Sequence, residues 1–347
     1  MTPLISRIAG CLAGLALGDA LGTPTLPTPE ATRAAFGGPL RAFRTPPPDL
    51  AFWHAGLRAG QVTDDTQAAL ALVQAVIGRR AFSLDIAARA LVDWLDSIDA
   101  DHTPYIGPST KAAYLALKRG VPPSESGLGG LTNGAAMRVA PLGFLSPDPA
   151  AVVRLAAWSA MPTHHSPVGL ASAAAVAGAV AEAARGGSVE TLLEAACHAA
   201  TEGARLYAGP PLFAPTPDLA RRIRWATELV PAGHPPGRDP AEWPHAVWAM
   251  LRTLYDLAGA GMAAHETVPT AFALVRLADG DPWTAALLAA NLGGDADTIG
   301  AIAGAVCGAY RGVDAIPAEA LATLEEVNGL NFRQLAQDYL AVIQAWL

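Results

Sequence analysis

Two threonine–aspartate clusters are the places in this sequence where chemistry can be done. "VTDDTQAAL" sets Thr63, Asp64 and Asp65 at the head of an apolar run, and "NLGGDADTIGAIAGAVCGAYRG" sets Asp295, Asp297 and Thr298 at the head of an almost uncharged one. Acids in a first helical turn satisfy free N–H groups and complement the helix dipole, which explains one aspartate in each cluster. It does not explain two, because neighbouring carboxylates repel and only one can cap. The chain around Asp295 and Asp297 offers no lysine or arginine as a partner. A bound cation supplies the missing charge, and oxygen-only donors suit hard ions, Mg2+ first and Mn2+ next. Two such clusters, folded together, have the donors for two ions; plain capping is the competing reading.

Other chemistries find no support. "HETVP" at 265–269 lacks the second histidine of a zinc-protease motif, and no phosphate-binding glycine loop with its lysine is present. The pair His164–His165 reads more readily as hydrogen-bonded structure than as a metal site. No glycine-flanked serine marks a nucleophile elbow.

The surrounding 347 residues are 52% hydrophobic and only 16% charged, enough for a large core and too apolar for disorder. The net charge of −8 and the lack of any Lys/Arg run beyond pairs argue against nucleic acid as a partner. Three scattered cysteines, Cys11, Cys197 and Cys307, form no disulfide framework and fit a cytoplasmic setting. The apolar run 8–18 is too short for a membrane span and lacks a clear cleavage site, so neither a membrane anchor nor a signal peptide is expected.

Strand signals are weak and helical ones many. Helices are expected over 4–18, 65–79, 83–98, 109–119, 148–160, 168–185, 190–207, 244–258, 268–278, 281–291, 297–311 and 331–346. Proline-rich stretches at 23–29, 45–49, 122–130, 209–217 and 231–240 read as loops. Gly10, Gly14, Gly18 and Gly22 recur every fourth residue, as do Gly300, Gly304, Gly308 and Gly312. Residues four apart share a helix face, so each stripe predicts close backbone packing inside a helical core. The expectation is one all-α domain spanning 1–347.

The sequence resembles the ADP-ribosylglycohydrolases, the family that includes dinitrogenase reductase-activating glycohydrolase. The resemblance is carried by "GCLAGLALGDALG" (10–22), "VTDDTQAAL" (62–70), "LTNGAAMRVAPLGF" (131–144), "PTHHSPVGLASAAAVAGAV" (162–180) and the block 266–312. It implies a compact all-α bundle with a cleft holding two divalent cations, Mg2+ or Mn2+, ligated by Thr63, Asp64, Asp65, Asp295, Asp297 and Thr298. The four aspartates would carry catalysis. ADP-ribose contacts would fall on Gly129, Gly130, Asn133 and His164, and, from "IGPST", on Gly107 and Ser109. Many members carry an acid shortly after "GDALG"; this chain has Leu26 there, with Glu30 as the next acid, so either Glu30 substitutes or the protein works without it. The implied activity is hydrolysis of the bond between ADP-ribose and a protein side chain such as arginine or serine. Small ADP-ribosylated or nucleotide-like metabolites are an alternative substrate class, and an inactive ADP-ribose-binding or structural protein an alternative of another kind. A monomer is expected.

Overall fold

The structure, a computed structural model, describes residues 2–49, 52–100, 102–212, 214, 216–233 and 235–346. The helices in chain order are α1 (Leu4–Gly22), α2 (Pro29–Phe36), α3 (Asp64–Arg79), α4 (Leu84–Ser97), α5 (Pro108–Lys118), α6 (Pro123–Ser126), α7 (Gly134–Val139), α8 (Pro149–His164), α9 (Pro167–Arg185), α10 (Val189–Arg205), α11 (Leu219–Glu228), α12 (His245–Thr253), α13 (Ala264–Leu277), α14 (Pro282–Ala290), α15 (Ala296–Arg311), α16 (Ala318–Asn328) and α17 (Phe332–Trp346). No strand occurs among the described residues; Leu128–His165 and Thr132–Ala263 form isolated bridges only. The all-α expectation holds.

The glycine stripes explain the centre of the fold. A Cβ built on Gly14 would lie 2.1 Å from the Gly304 carbonyl oxygen, and one on Gly18 would lie 1.9 Å from that of Gly300. At Gly10 the obstacle is the Gly308 carbonyl oxygen at 2.3 Å. The paired numbers run in opposite directions, so α1 and α15 are antiparallel and their backbones touch. No other residue type permits that approach. Every residue of α1 from Ser6 to Gly22 is buried. The same register carries the C-terminal end of α1 to the N-terminal end of α15, where a Cβ on Gly22 would sit 2.3 Å from Asp297 Cα. The seam thus aligns the first acid-bearing turn of α15 with Asp19.

Several elements were hidden by their prolines. The stretch 23–29 ends in a helix start: Thr28 Oγ1 accepts from Ala31 N at 3.1 Å and Pro29 opens α2. Proline at a first helical position has no N–H to lose. Pro123 likewise opens α6 inside the expected loop 122–130, and Asp218 caps the unexpected α11 just beyond 209–217. α7 and α16 were also unexpected. The helix expected over 244–258 ends at Thr253 and continues as a π-turn over Leu254–Ala258. The run 8–18 belongs to a longer helix, and by length and composition α1 and α9 are each able to cross a membrane; 89% and 83% of these stretches are buried inside the fold.

Candidate active site

Asp19 resolves the capping question. Its side chain is fully buried and accepts from Thr63 N at 2.9 Å, Thr63 Oγ1 at 2.8 Å, Thr66 N at 3.2 Å and Thr66 Oγ1 at 2.6 Å. An acid on α1 therefore caps α3 from outside. Thr63 occupies the N-cap position without capping through its own side chain, and Asp64 and Asp65 are both released from that duty. Thr63 Oγ1 also lies 3.3 Å from Asp65 Oδ2, while Asp65 Oδ1 is buried with no hydrogen-bond partner. Asp19 stands in the sequence as a lone acid between Gly18 and Gly22 of an apolar, glycine-striped helix.

The second cluster is arranged differently. Asp295 precedes α15, its N–H donating to Ala260 O at 2.7 Å after the positive-φ pair Gly293 (92°) and Gly294 (70°). Asn133 Nδ2 donates to Asp295 Oδ2 and, at 2.9 Å, reaches Thr267 Oγ1. The Thr298 side chain also hydrogen-bonds Asp295. Asp297 Oδ1 accepts from Thr298 N at 2.9 Å, and its Oδ2 lies 3.0 Å from His54 Nε2. The other nitrogen of His54, Nδ1, lies 2.9 Å from the Thr23 carbonyl oxygen. A carbonyl only accepts, so Nδ1 carries a hydrogen; facing a carboxylate, Nε2 donates as well. No sequence signal pointed to His54, which comes from a short 3-10 turn after the proline-rich stretch 45–49.

The two clusters are close enough for their charges to interact. Burial, then the fields of Asp297 and Asp19, push Asp64 well above the usual carboxylate range. Burial, then Asp19 and Asp297, do the same to Asp65. Burial raises Asp295 to about 7, Asp297 adding to it, and raises Asp19 to about 6 against its hydrogen bonds. Only Asp297 is lowered: burial opposes its charge, but His54 outweighs it. His54 is correspondingly raised to about 9, Asp297 overcoming the cost of burial. Five acids thus share one buried region with one histidine, and they cannot all ionise without further positive charge. The donor chemistry, all carboxylate and hydroxyl oxygen plus an unpaired buried oxygen on Asp65, fits a hard divalent cation. Among the described residues no three His, Cys, Asp or Glu side chains form a ready-made ion cage.

The expected substrate contacts divide into two sets. Asn133 joins the acids through Asp295. Ser109, at the start of α5, is half-buried, and its Oγ lies 3.1 Å from Thr132 Oγ1. Gly107 is the N-cap residue of α5, with open space beside it. Gly129 has φ 79° and open space where a side chain would stand, whereas Gly130 packs on the backbone of Thr163 and His164. His164 itself is fully buried, with Nδ1 on Thr163 and Nε2 on Thr132. Direct contact with a ligand is therefore not its position here. Leu26 is buried, and Gly294 N donates to the carbonyls of Leu26 and Pro27. Glu30 is exposed and paired with Arg252 at 3.1 Å, so it does not take the place of an acid at Leu26. A cavity of about 640 Å3 lies between α3 and α4, beginning at Gln67 one turn beyond Asp64; Asp19, Asp64, Asp65, Asp295 and Asp297 do not line it.

With an all-helical fold and acids from its two ends gathered at one seam, the chain belongs to the ADP-ribosylglycohydrolase family, whose sequence model matches residues 1–346. It is 37% identical over 338 residues to an uncharacterized Escherichia coli (strain K12) protein, YegU, covering 95% of each chain. It is 29% identical over 336 residues to the human ADP-ribosylhydrolase ARH3, covering 90% of this chain and 87% of that one. A solved structure described as an ADP-ribosylglycohydrolase-related protein complex superposes with a TM-score of 0.66 at 26% identity, covering 99% of both chains. Membership of this family supports a glycohydrolase activity.

Proposed function

We propose that the protein is a divalent-cation-dependent hydrolase that cleaves the glycosidic bond between ADP-ribose and an acceptor. The observation that carries this is the meeting of Asp64 and Asp65 with Asp295 and Asp297 around the Asp19 cap, leaving excess buried negative charge and an unpaired Asp65 oxygen. Thr63, Asp64, Asp65, Asp295, Asp297 and Thr298 would hold two ions, Mg2+ or Mn2+. Bound ions of this kind supply positive charge, orient sugar hydroxyls and lower the pKa of a water. Glycoside cleavage passes through an oxocarbenium-like state, and the carboxylates stabilise positive charge growing at C1″ of the distal ribose. As the bond from C1″ to the acceptor breaks, Asp64 or Asp65 takes one proton of the attacking water and passes it to the departing acceptor, leaving ADP-ribose with the water's oxygen at C1″. Asn133 holds the Asp295 carboxylate in a fixed orientation while this happens.

The acceptor is a protein side chain such as arginine or serine in the first reading. A second reading, small ADP-ribosylated metabolites, is favoured by the loop at Leu26: a buried apolar residue stands where relatives place an acid, and Glu30 is engaged by Arg252. The test is release of ADP-ribose from modified arginine, modified serine and free conjugates, with Mg2+, with Mn2+ and with excess EDTA. Alanine at both Asp295 and Asp297 is expected to cut turnover by at least about 1,000-fold, the scale for removing charged catalytic groups, with the helical far-UV signal intact. Full activity in the double variant or in EDTA rejects the mechanism. ADP-ribose binding with no hydrolysis of any conjugate would make the protein a binder instead.

A further inference from the structure

Arg138 is among the largest fully buried side chains and has no carboxylate within ion-pair distance among the described residues. Its Nη1 donates to Gly134 O at 2.8 Å, and its Nη2 to Ser159 O at 2.7 Å and Thr163 Oγ1 at 2.6 Å. From there the contacts continue without a gap. Thr163 Oγ1 lies 2.7 Å from His164 Nδ1, His164 Nε2 lies 2.8 Å from Thr132 Oγ1, and Thr132 Oγ1 lies 3.1 Å from Ser109 Oγ.

The proton inventory gives this chain a direction. Guanidinium only donates, so Thr163 accepts from Arg138 and passes its own hydrogen to His164 Nδ1. The imidazole then carries its hydrogen on Nε2 and donates to Thr132. Thr132 donates in turn to Ser109. The reverse order would make Thr163 accept twice and leave its hydroxyl hydrogen with no acceptor among the described residues. Burial, with the Arg138 charge adding to it, keeps His164 well below its ordinary pKa and so neutral, as a single-hydrogen link requires. Ser109, having accepted, has its own hydrogen free at the end of the run, and like Thr132 it is half-buried rather than sealed in the core. The next residue after Thr132 is Asn133, which reaches Asp295, so the Thr132 link is tied through the backbone to the acid cluster. The packing is specialised for this: a Cβ on Gly134 would lie 2.7 Å from His164 Cε1, and one on Gly169 would lie 2.2 Å from His164 O.

We infer that Arg138, Thr163, His164 and Thr132 form a one-way hydrogen-bond chain that fixes Ser109 as a donor to an acceptor oxygen of the ligand, with His164 a positioning residue rather than a contact. This rests on the proposed ADP-ribose reading and deepens it. A serine hydroxyl is ordinarily ambiguous, able to give or to accept; with Thr132 donating to this one, its hydrogen is left for the ligand. The site therefore favours an oxygen bearing lone pairs at that point.

Two measurements test it. Nitrogen-15 NMR of the histidine side chains of the intact protein is expected to show one imidazole, removed by H164Q, that is neutral, protonated on Nε2 and unchanged from pH 5 to 8. Protonation on Nδ1 overturns the direction of the chain whatever the ligand. Calorimetry with ADP-ribose is expected to show about ten-fold weaker binding for S109A and for T132V, the worth of one hydrogen bond to a charged group at its lower end. T132S is expected to restore affinity, and T132V is expected to add nothing in the S109A background. A T132V loss that persists at full size in S109A overturns the relay, since a merely structural role would add. Wild-type protein that binds no ADP-ribose sinks the proposed function and Ser109's assigned ligand with it, whereas wild-type binding unaffected by T132V sinks the relay alone.

Discussion

The two threonine–aspartate clusters look alike in sequence and are held in opposite ways. At 63–65 the helix is capped from a different helix, by Asp19, and both aspartates are left in a buried setting without a cation partner. At 295–298 each acid already has a side-chain partner, the neutral amide of Asn133 on Asp295 and the imidazole of His54 on Asp297. One side is rigid and electrostatically unsatisfied; the other is partly neutralised by the His54 imidazole. The lesson is that the first cluster sets the demand for positive charge, and the second sets what must be displaced to meet it.

Breaking the rigid side costs most. Asp19→Ala removes the acceptor of two backbone N–H groups and two hydroxyls in a buried place, and is expected to destabilise the protein by about 3 kcal/mol. Turnover should fall at least about 100-fold, an effect of misplaced ligands; thermal unfolding alongside the hydrolysis assay checks both. A variant with unchanged melting and activity would show that α3 needs no cap from α1.

The unsatisfied charge predicts an inverted pH response. Asp19, Asp64, Asp65 and Asp295 have folded pKa values above those of an unfolded chain, so folding binds protons, and the stability this gives at low pH is lost as pH rises through about 6 to 7 and beyond. His54, raised to about 9, adds in the same sense: its contribution is complete below its unfolded value near 6.5 and disappears as pH passes 9. Asp297 runs the other way, but only in acid, below the ordinary carboxylate range. Melting temperature in EDTA should therefore fall by several degrees from pH 5 to pH 9, and Mg2+ or Mn2+ should flatten the slope. A rising or level profile in EDTA contradicts this account.

The partly neutralised side gives a smaller effect. His54→Gln takes a competing cation from Asp297 and is expected to tighten Mn2+ binding by about ten-fold, the size of one ion pair in a half-buried place, read by calorimetry; unchanged or weaker binding would make His54 a helper rather than a rival. Least of all should come from Glu30→Ala. An exposed pair contributes about 0.5 kcal/mol, so stability and turnover should both stay within about two-fold of the parent. A large drop in turnover would return Glu30 to the reaction.

How much of this was legible follows from what each feature depends on. The stripes of glycine and the two acid clusters are local patterns, and a close-packed helix pair with charged ends could be read from them directly. That the stripes pair with each other, in an antiparallel sense that delivers Asp19 to Thr63 and Thr66, is a tertiary fact with no local signal. His54 has none either, since a histidine in a proline-rich loop gains its meaning only from Asp297 and Thr23. His164 is a ligand contact only by the family resemblance; its burial behind Thr132 depends on Gly130, Gly134 and Gly169, which are spread over three segments. Short helices opened by proline, such as α2, were missed because proline marks loops and helix starts alike.

The contact of α1 with α15 has a consequence for how the molecule comes into being. α1 is almost wholly apolar and leaves the ribosome well before α15, the surface that covers it, is made. At synthesis rates of about 5–20 residues per second, the nascent chain waits on the order of tens of seconds with that segment undocked. The acids beside α1 and at the head of α15 meet only after the seam closes, so the charged centre waits on α15, and a nascent chain stalled before α15 would hold half the ligands and none of the wall behind them.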